Sequence, residues 1–260
     1  MYIHTPKILA LDFDGVICNG LIEYFQTTCK AYEQVWQSQE EVSEDLADSF
    51  YRLRPVIETG WEMPVLIRAL LLGISEEKIL ADWSNVSREI VNSEQLNPQE
   101  LAQAVDGVRD RWIKTNGQEW LSLHRFYPGV LIRIQKALAA DVEVFIITTK
   151  EGRFVKKLLK QQGVRIEEGH IIGKEVQLPK YESLRKLIAE FKVKEEQLWF
   201  VEDRLKTLDK VSQQPDLDGV QLFLAGWGYN TERSRQSIQD NSRVNLLSLS
   251  QFSQSFSKWF

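Results

Sequence analysis

Residues 8–20 read ILALDFDGVICNG. Four apolar residues lead to Asp12, a second carboxylate follows at Asp14, and Gly15 breaks the run at once. An apolar run this short, closed by turn residues, reads as a strand buried on both faces, the kind that builds a parallel sheet. Side chains alternate along a strand, so Asp12 and Asp14 would point the same way if the strand continued. Two carboxylates that close raise each other's pKa unless a cation lies between them or hydrogen bonds hold the charge. The pair is either a turn, since Asp and Gly are common turn residues, or the holder of a cation.

The rest of the chain bears on that choice. From about residue 21 to 125 the patterns are almost all helical: IEYFQTTCKAYEQVW, MPVLIRALLLG, EEKILADW and PQELAQAVDGVRDRWI repeat apolar residues at helical spacing. Ser75 and Asn97-Pro98 are helix starts, and Gly73 is a helix stop. After Tyr127-Pro128-Gly129 helices and strands alternate. LIRIQKALAA, RFVKKLLKQQG, YESLRKLIAEF and LKTLDKVSQ are the helices; VEVFIITT, HIIG, LWFVED and VQLFLAG are the strands. Alternation of this kind predicts a parallel sheet of right-handed βαβ units. The first strand thus belongs to a sheet whose other strands come roughly a hundred helical residues later. The predicted architecture is an α/β core from residues 1–20 and 126–260, interrupted by an all-helical domain over 21–125.

Composition narrows the function classes. Apolar residues make up 43% and charged residues 27% of the 260, as in ordinary soluble globular proteins. A net charge of −5 with no dense Lys/Arg stripe argues against nucleic acid or a membrane surface as partner. No run reaches transmembrane length, and MPVLIRALLLG carries Arg68 in its middle. Asp12 interrupts the first apolar stretch too early for a signal peptide. Two cysteines, Cys18 and Cys29, are too few for a disulfide framework. A reducing, cytoplasmic setting is expected, with both thiols as small hydrophobes. His4, His124 and His170 are scattered and read as structural rather than as zinc ligands.

In open parallel sheets, ligands bind at the carboxyl ends of the strands. The strand ends carry Asp12 and Asp14, then Thr148-Thr149-Lys150, then Glu202-Asp203, with Lys180 opening the helix before the last of these. Carboxylates, a hydroxyl and an ammonium are thereby expected on one rim. Carboxylates without a His or Cys cluster suit a hard cation, magnesium foremost. GxxxxGK[ST], GxGxxG and GxSxG are all absent.

These residues resemble the motifs of the haloacid dehalogenase-like (HAD) hydrolase superfamily, in its phosphatase branch. An apolar strand followed by Asp12-Phe13-Asp14-Gly15 is similar to its first motif. Thr148 in VFIITTK matches the second, Lys180 in LPKYESLRKL the third (Lys174 is the alternative), and Glu202-Asp203 in LWFVED the fourth. YPGV and AGWGYNTERS also resemble the family, and the latter, with the overall layout, most resembles its phosphoglycolate phosphatases. The fourth motif departs from the usual GDxxxD or DD: Glu202 replaces the first residue, Thr207 stands at the later acidic position, and Asp209 lies two residues further on.

The resemblance implies a Rossmann-like three-layer α/β/α core with a type 1 helical cap. It implies a magnesium-dependent phosphatase for a small phosphorylated acid or sugar, acting through an aspartyl phosphate. Asp12 would be the nucleophile and Asp14 the acid and base. Mg2+ would be held by Asp12, the Asp14 backbone carbonyl and Asp203, with Glu202 in or beside the shell. Lys180 would restrain Asp12, and Thr148 with N–H groups near Gly15 would bind the transferring group. Thr149, Lys150 and Arg54 are expected to meet the substrate. A phosphomutase of the same fold and a catalytically silent binding or assembly module remain open, whereas a haloacid dehalogenase is disfavoured by the intact Asp12, Asp14 and Asp203. Oligomeric state is not indicated.

Overall fold

β1 (Ile8–Leu11) is buried at every position, as a strand flanked by neighbours on both edges and helices on both faces must be. A computed structural model describes residues 5–38, 41–167, 169–238 and 243–260, so His4 lies outside the described residues. After β1 come β2 (Cys18–Asn19) and the helices α1 (Leu21–Trp36), α2 (Ala47–Leu53), α3 (Glu62–Leu71), α4 (Glu76–Ser93) and α5 (Pro98–Ser122). The chain continues through β3 (Arg125–Phe126), α6 (Val130–Leu138), β4 (Glu143–Ile147), α7 (Gly152–Gln161), β5 (Ile171–Ile172) and α8 (Lys180–Phe191). It ends with β6 (Leu198–Glu202), α9 (Leu205–Ser212), β7 (Gln221–Ala225), α10 (Glu232–Ser237), β8 (Val244–Leu247) and α11 (Leu249–Phe252). Contacts divide it into two units, Met1–Asn19 with Arg125–Phe260, and Gly20–His124.

In the first unit, among the described residues, six strands form one sheet in the order β5-β4-β1-β6-β7-β8, every pair parallel. The expected α/β class holds. One face packs Ile8, Ala10, Phe145 and Phe200 against Leu184 and Leu187 of α8 and Leu208 and Val211 of α9. On the other, Trp199 and Phe223 meet the rings of Trp259 and Phe260. β2 and β3 form a separate antiparallel ribbon of two residues each. Sequence reading missed that ribbon, because two residues carry no periodicity, and missed β8, whose VNLL places Asn245 inside an apolar run at the sheet edge.

The helical unit, Gly20–His124, has its own core around Phe25, Phe50, Leu53, Leu66, Ile67, Leu101 and Val105. The Ser75 hydroxyl accepts the Lys78 N–H and the Asn97 side chain accepts the Gln99 N–H, each starting its helix as the sequence predicts. α4 and α5 are each broken by one non-helical residue, Asp82 and Asn116. Asn116 caps the second segment of α5 by accepting the Glu119 N–H at 3.2 Å. Buried Glu23 at the start of α1 accepts from Thr27 Oγ1 (2.8 Å), Arg109 Nε (2.7 Å) and Trp120 Nε1 (2.9 Å), so one carboxylate ties the unit's first helix to its last. Of the thiols, Cys18 is buried and Cys29 half-buried, and neither is in a disulfide.

Removing the Glu23 carboxylate leaves a largely buried guanidinium without that partner, a change that costs about 3 kcal/mol or more. Glu23→Ala should lower the unfolding free energy by that amount in a urea titration, and Glu23→Gln, which keeps an acceptor, by less.

Candidate active site

β1 lies between β4 and β6, with Leu11 opposite Ile146 on one side and Val201 on the other. Parallel strands in that register end together, so the residues after each strand share one rim. Asp12 extends the ladder by one residue, its N–H donating to Val201 O at 2.9 Å. Thr148 does the same beside β5, donating to Ile172 O at 2.9 Å. Glu202 closes β6, Asp203 comes directly after it, and Lys180 opens α8.

The Lys180 ammonium lies 2.6 Å from Asp12 Oδ1 and 2.6 Å from Glu202 Oε2. The other Glu202 oxygen accepts the Arg204 N–H at 3.1 Å. Asp203 Oδ2 accepts the Tyr229 N–H at 2.7 Å. Asp12, Glu202 and Asp203 are 6%, 1% and 1% exposed. Each offers a carboxylate oxygen, and the three oxygens lie within 4.8 Å of one another.

Three buried carboxylates beside one ammonium leave a shortage of positive charge. Burial pushes the Asp12 carboxyl up to about 7, with Lys180 pulling it down and Glu202 and Asp14 pushing it further up. Burial, then the charges of Glu202 and Asp12, hold Asp203 well above the usual carboxylate range. Burial also opposes the charged form of Lys180, yet Asp12 and Glu202 outweigh it and raise its pKa above the ordinary lysine value. A divalent cation fits this cluster on both counts: the donors are all hard oxygens, and its charge supplies what Lys180 alone does not.

For Asp14 the expectation gave the metal its backbone carbonyl and left the carboxylate for acid and base work. Its side chain lies outside the three-carboxylate cluster, with Lys150 Nζ 3.1 Å from one oxygen and 3.2 Å from the other. Gly15 donates its N–H to Cys18 O at 2.8 Å within the turn. Its φ of 90° suits glycine, and a Cβ there would collide with the Asp203 carboxylate. The Thr148 hydroxyl accepts the Lys150 N–H at 3.1 Å, and Thr149 is exposed. Lys180 is the lysine that reaches Asp12, whereas Lys174 is exposed in a turn. Asp209 lies half-buried in α9, outside the cluster. Arg54 belongs to the helical unit, where it donates to Ile57 O at 3.1 Å and lies 4.7 Å over the Tyr24 ring.

The sequence assigned no role to the segment that holds Asp203. Tyr229 gives it an N–H, and Asn230 Nδ2 donates to the Asp203 carbonyl at 3.0 Å and to Ala225 O at 2.8 Å. Arg235 in turn donates to Asn230 Oδ1 at 2.8 Å. Trp227 Nε1 reaches Val16 O at 3.1 Å, tying this loop to the one after β1. A Cβ at Gly228 would strike Asp203 Cβ and stand 2.6 Å from Gly15 O. The available signal was a glycine between two aromatics directly after a buried strand, a mark of close backbone approach.

A family model of haloacid dehalogenase-like hydrolases matches residues 6–208. Among curated proteins, none matches the chain. Similar solved structures include one described as a predicted phosphoglycolate phosphatase from Haemophilus somnus 129pt, 16% identical with a TM-score of 0.60, covering 99% of this chain and 97% of its own. A predicted phosphatase from Clostridium acetobutylicum is 12% identical with a TM-score of 0.59, covering 93% and 94%. A haloacid dehalogenase-like family hydrolase from Streptococcus pneumoniae is 11% identical with a TM-score of 0.60, covering 95% and 94%. At such identities the likeness is one of fold.

The packing around Asp203 predicts that Gly228→Ala lowers stability by about 1–3 kcal/mol, the usual cost of overpacking. Gly60→Ala, where nothing lies within 4 Å of the added methyl, should leave stability near wild type. Denaturant unfolding of both variants makes the comparison.

Proposed function

The chain belongs to the haloacid dehalogenase-like hydrolase family, and on that footing we propose that it is a magnesium-dependent phosphatase of a small phosphomonoester, a phosphorylated acid or sugar. The observation that carries this reading is the Asp12 carboxylate, buried at the end of the central strand, held by Lys180 and flanked by two further carboxylates. A phosphorylated acid is in line with the relative described as a predicted phosphoglycolate phosphatase.

In this reading an Asp12 oxygen attacks phosphorus as the ester P–O bond breaks. The product is an acyl phosphate on Asp12, and the departing alcohol oxygen takes its proton from Asp14. Water then attacks the same phosphorus while Asp14 takes back a proton. The bond to Asp12 breaks, inorganic phosphate leaves and the carboxylate is restored. Lys180 fixes the direction of Asp12 and adds positive charge beside the phosphoryl oxygens. In this reading the Thr148 hydroxyl hydrogen-bonds the transferring group. A magnesium ion held by Asp12 and Asp203, with the Asp14 carbonyl and Glu202 as further oxygens, would neutralise charge on the phosphoryl group. Glu202, through its bond to Lys180, also keeps that ammonium in place.

The helical unit takes the part of a cap; Arg54 in that unit and Thr149, after β4 in the α/β unit, are candidates for substrate contact. Among the described residues no helix is long and apolar enough to cross a membrane, and a cytoplasmic enzyme acting on a soluble ester is the reading that suits two cysteines outside any disulfide.

Phosphate release from an aryl phosphate, with magnesium or with chelator, tests this directly. Wild-type protein should release phosphate only with the metal, and Asp12→Asn should fall by about a thousandfold or more. Release that survives both chelation and Asp12→Asn would overturn the reading. Isomerised sugar phosphate without free phosphate would point to a phosphomutase instead.

A further inference from the structure

Lys150 sits on a turn held at both ends. Its N–H donates to the Thr148 hydroxyl at 3.1 Å, and its carbonyl accepts the Lys174 N–H at 3.0 Å. From there the side chain runs inward until it is 9% exposed, with Nζ straddling the Asp14 carboxylate at 3.1 and 3.2 Å. Lysines on loops usually lay the stem on the protein and keep the ammonium in water. This one gives up that hydration beside the carboxylate that, in the proposed reaction, must face the ester oxygen.

The straddle and the proton transfer compete. Asp14 has to aim one oxygen at the departing alcohol at hydrogen-bond distance, about 2.7 Å. An ammonium in contact with both oxygens draws them the other way, so it must loosen its hold on one. A group on the alcohol, one carbon from the ester oxygen, would fall within reach of Nζ, because Nζ is a single hydrogen bond beyond Asp14. A negatively charged group there gives the ammonium a charge-assisted partner equal in kind to the one it releases, whereas a neutral group gives it a bond about half as strong.

We propose that Lys150 is a positioning residue that restrains Asp14 until an anionic group on the leaving alcohol draws the ammonium away, coupling recognition of that group to release of the acid. The proposal rests on the phosphatase reading and extends it from the site's chemistry to its selectivity. It places the selectivity in turnover as well as in binding, and in a residue of the α/β unit rather than of the helical one.

Steady-state kinetics on two matched two-carbon phosphomonoesters, one ending in a carboxylate and one in a primary amide, test it with wild type, Lys150→Met and Lys150→Arg. Wild type should show a kcat about tenfold or more higher on the carboxylate ester, the span of one charge-assisted hydrogen bond. Lys150→Met should bring that kcat ratio to about one, and Lys150→Arg should recover most of it; circular dichroism checks that both variants fold. Equal kcat on the two esters in wild type, a preference confined to KM, or a ratio that persists in Lys150→Met would each overturn the proposal. So would failure of wild type to cleave either ester. An aryl phosphate assayed alongside then separates the two claims: if it is cleaved, only the inference about Lys150 falls, and if it is not, the phosphatase reading falls with it.

Discussion

The contact on which the rest of the site depends is the Lys180 ammonium held between Asp12 and Glu202. Carboxylates buried this deeply would be driven to take up protons unless positive charge met them. Lys180 supplies part of that charge, and it does so from 168 residues beyond Asp12 and 22 before Glu202. The contact therefore requires β1 and β6 to be neighbours and α8 to start at their shared carboxyl end. Sheet order, crossover and site geometry are here one constraint. The charge that Lys180 leaves uncompensated is what makes the cluster a fit for a divalent cation.

Asp203 is held by a different kind of force. Its partners are mostly backbone and amide groups: the Tyr229 N–H on its carboxylate and Asn230 on its carbonyl. Gly15 and Gly228 matter because a methyl at either would occupy space that Asp203 already fills. Hydrogen bonds fix the direction of the carboxylate, and the two glycines let the loops after β1 and β7 come close enough to make them. Such support is what keeps a ligating group in position when its charge alone would favour moving toward water. The helical unit repeats the logic in its own interior, where Glu23 joins α1 to α5 through Arg109 and Trp120. There a buried carboxylate is met by donors from the protein itself, and no shortage of charge remains to suggest a ligand.

Much of this was legible in the residues alone, because two signals are local. Short, continuously apolar runs identify β1, β4, β6 and β7, and the long helical stretch between β1 and β4 identifies an insertion. Given parallel strands, the strand-end residues Asp12, Thr148 and Glu202-Asp203 had to share a rim. What the pattern did not carry was direction. Asp14 and Asp12 are two residues apart in sequence, yet one faces Lys150 and the other Lys180. Gly15 has a turn's φ, and its N–H goes to Cys18 O. Gly228 and Asn230 stood out only as part of AGWGYNTERS, by resemblance and without a role, until the fold set them against Asp203.

The sequence by itself determined the α/β class, the insertion of a helical stretch after the first strand, and the set of charged groups available at the rim. These come from periodicity and order along the chain, which are properties of neighbouring residues. Only the tertiary structure decided between Lys180 and Lys174, separated the Asp14–Lys150 pair from the Asp12–Glu202–Asp203 cluster, and recruited the segment around Gly228 and Asn230. Those outcomes depend on distances between residues far apart in the chain, and on which of several possible donors reaches a buried carboxylate. No local pattern encodes that competition, because it is settled only when strand register and helix placement bring the competitors together.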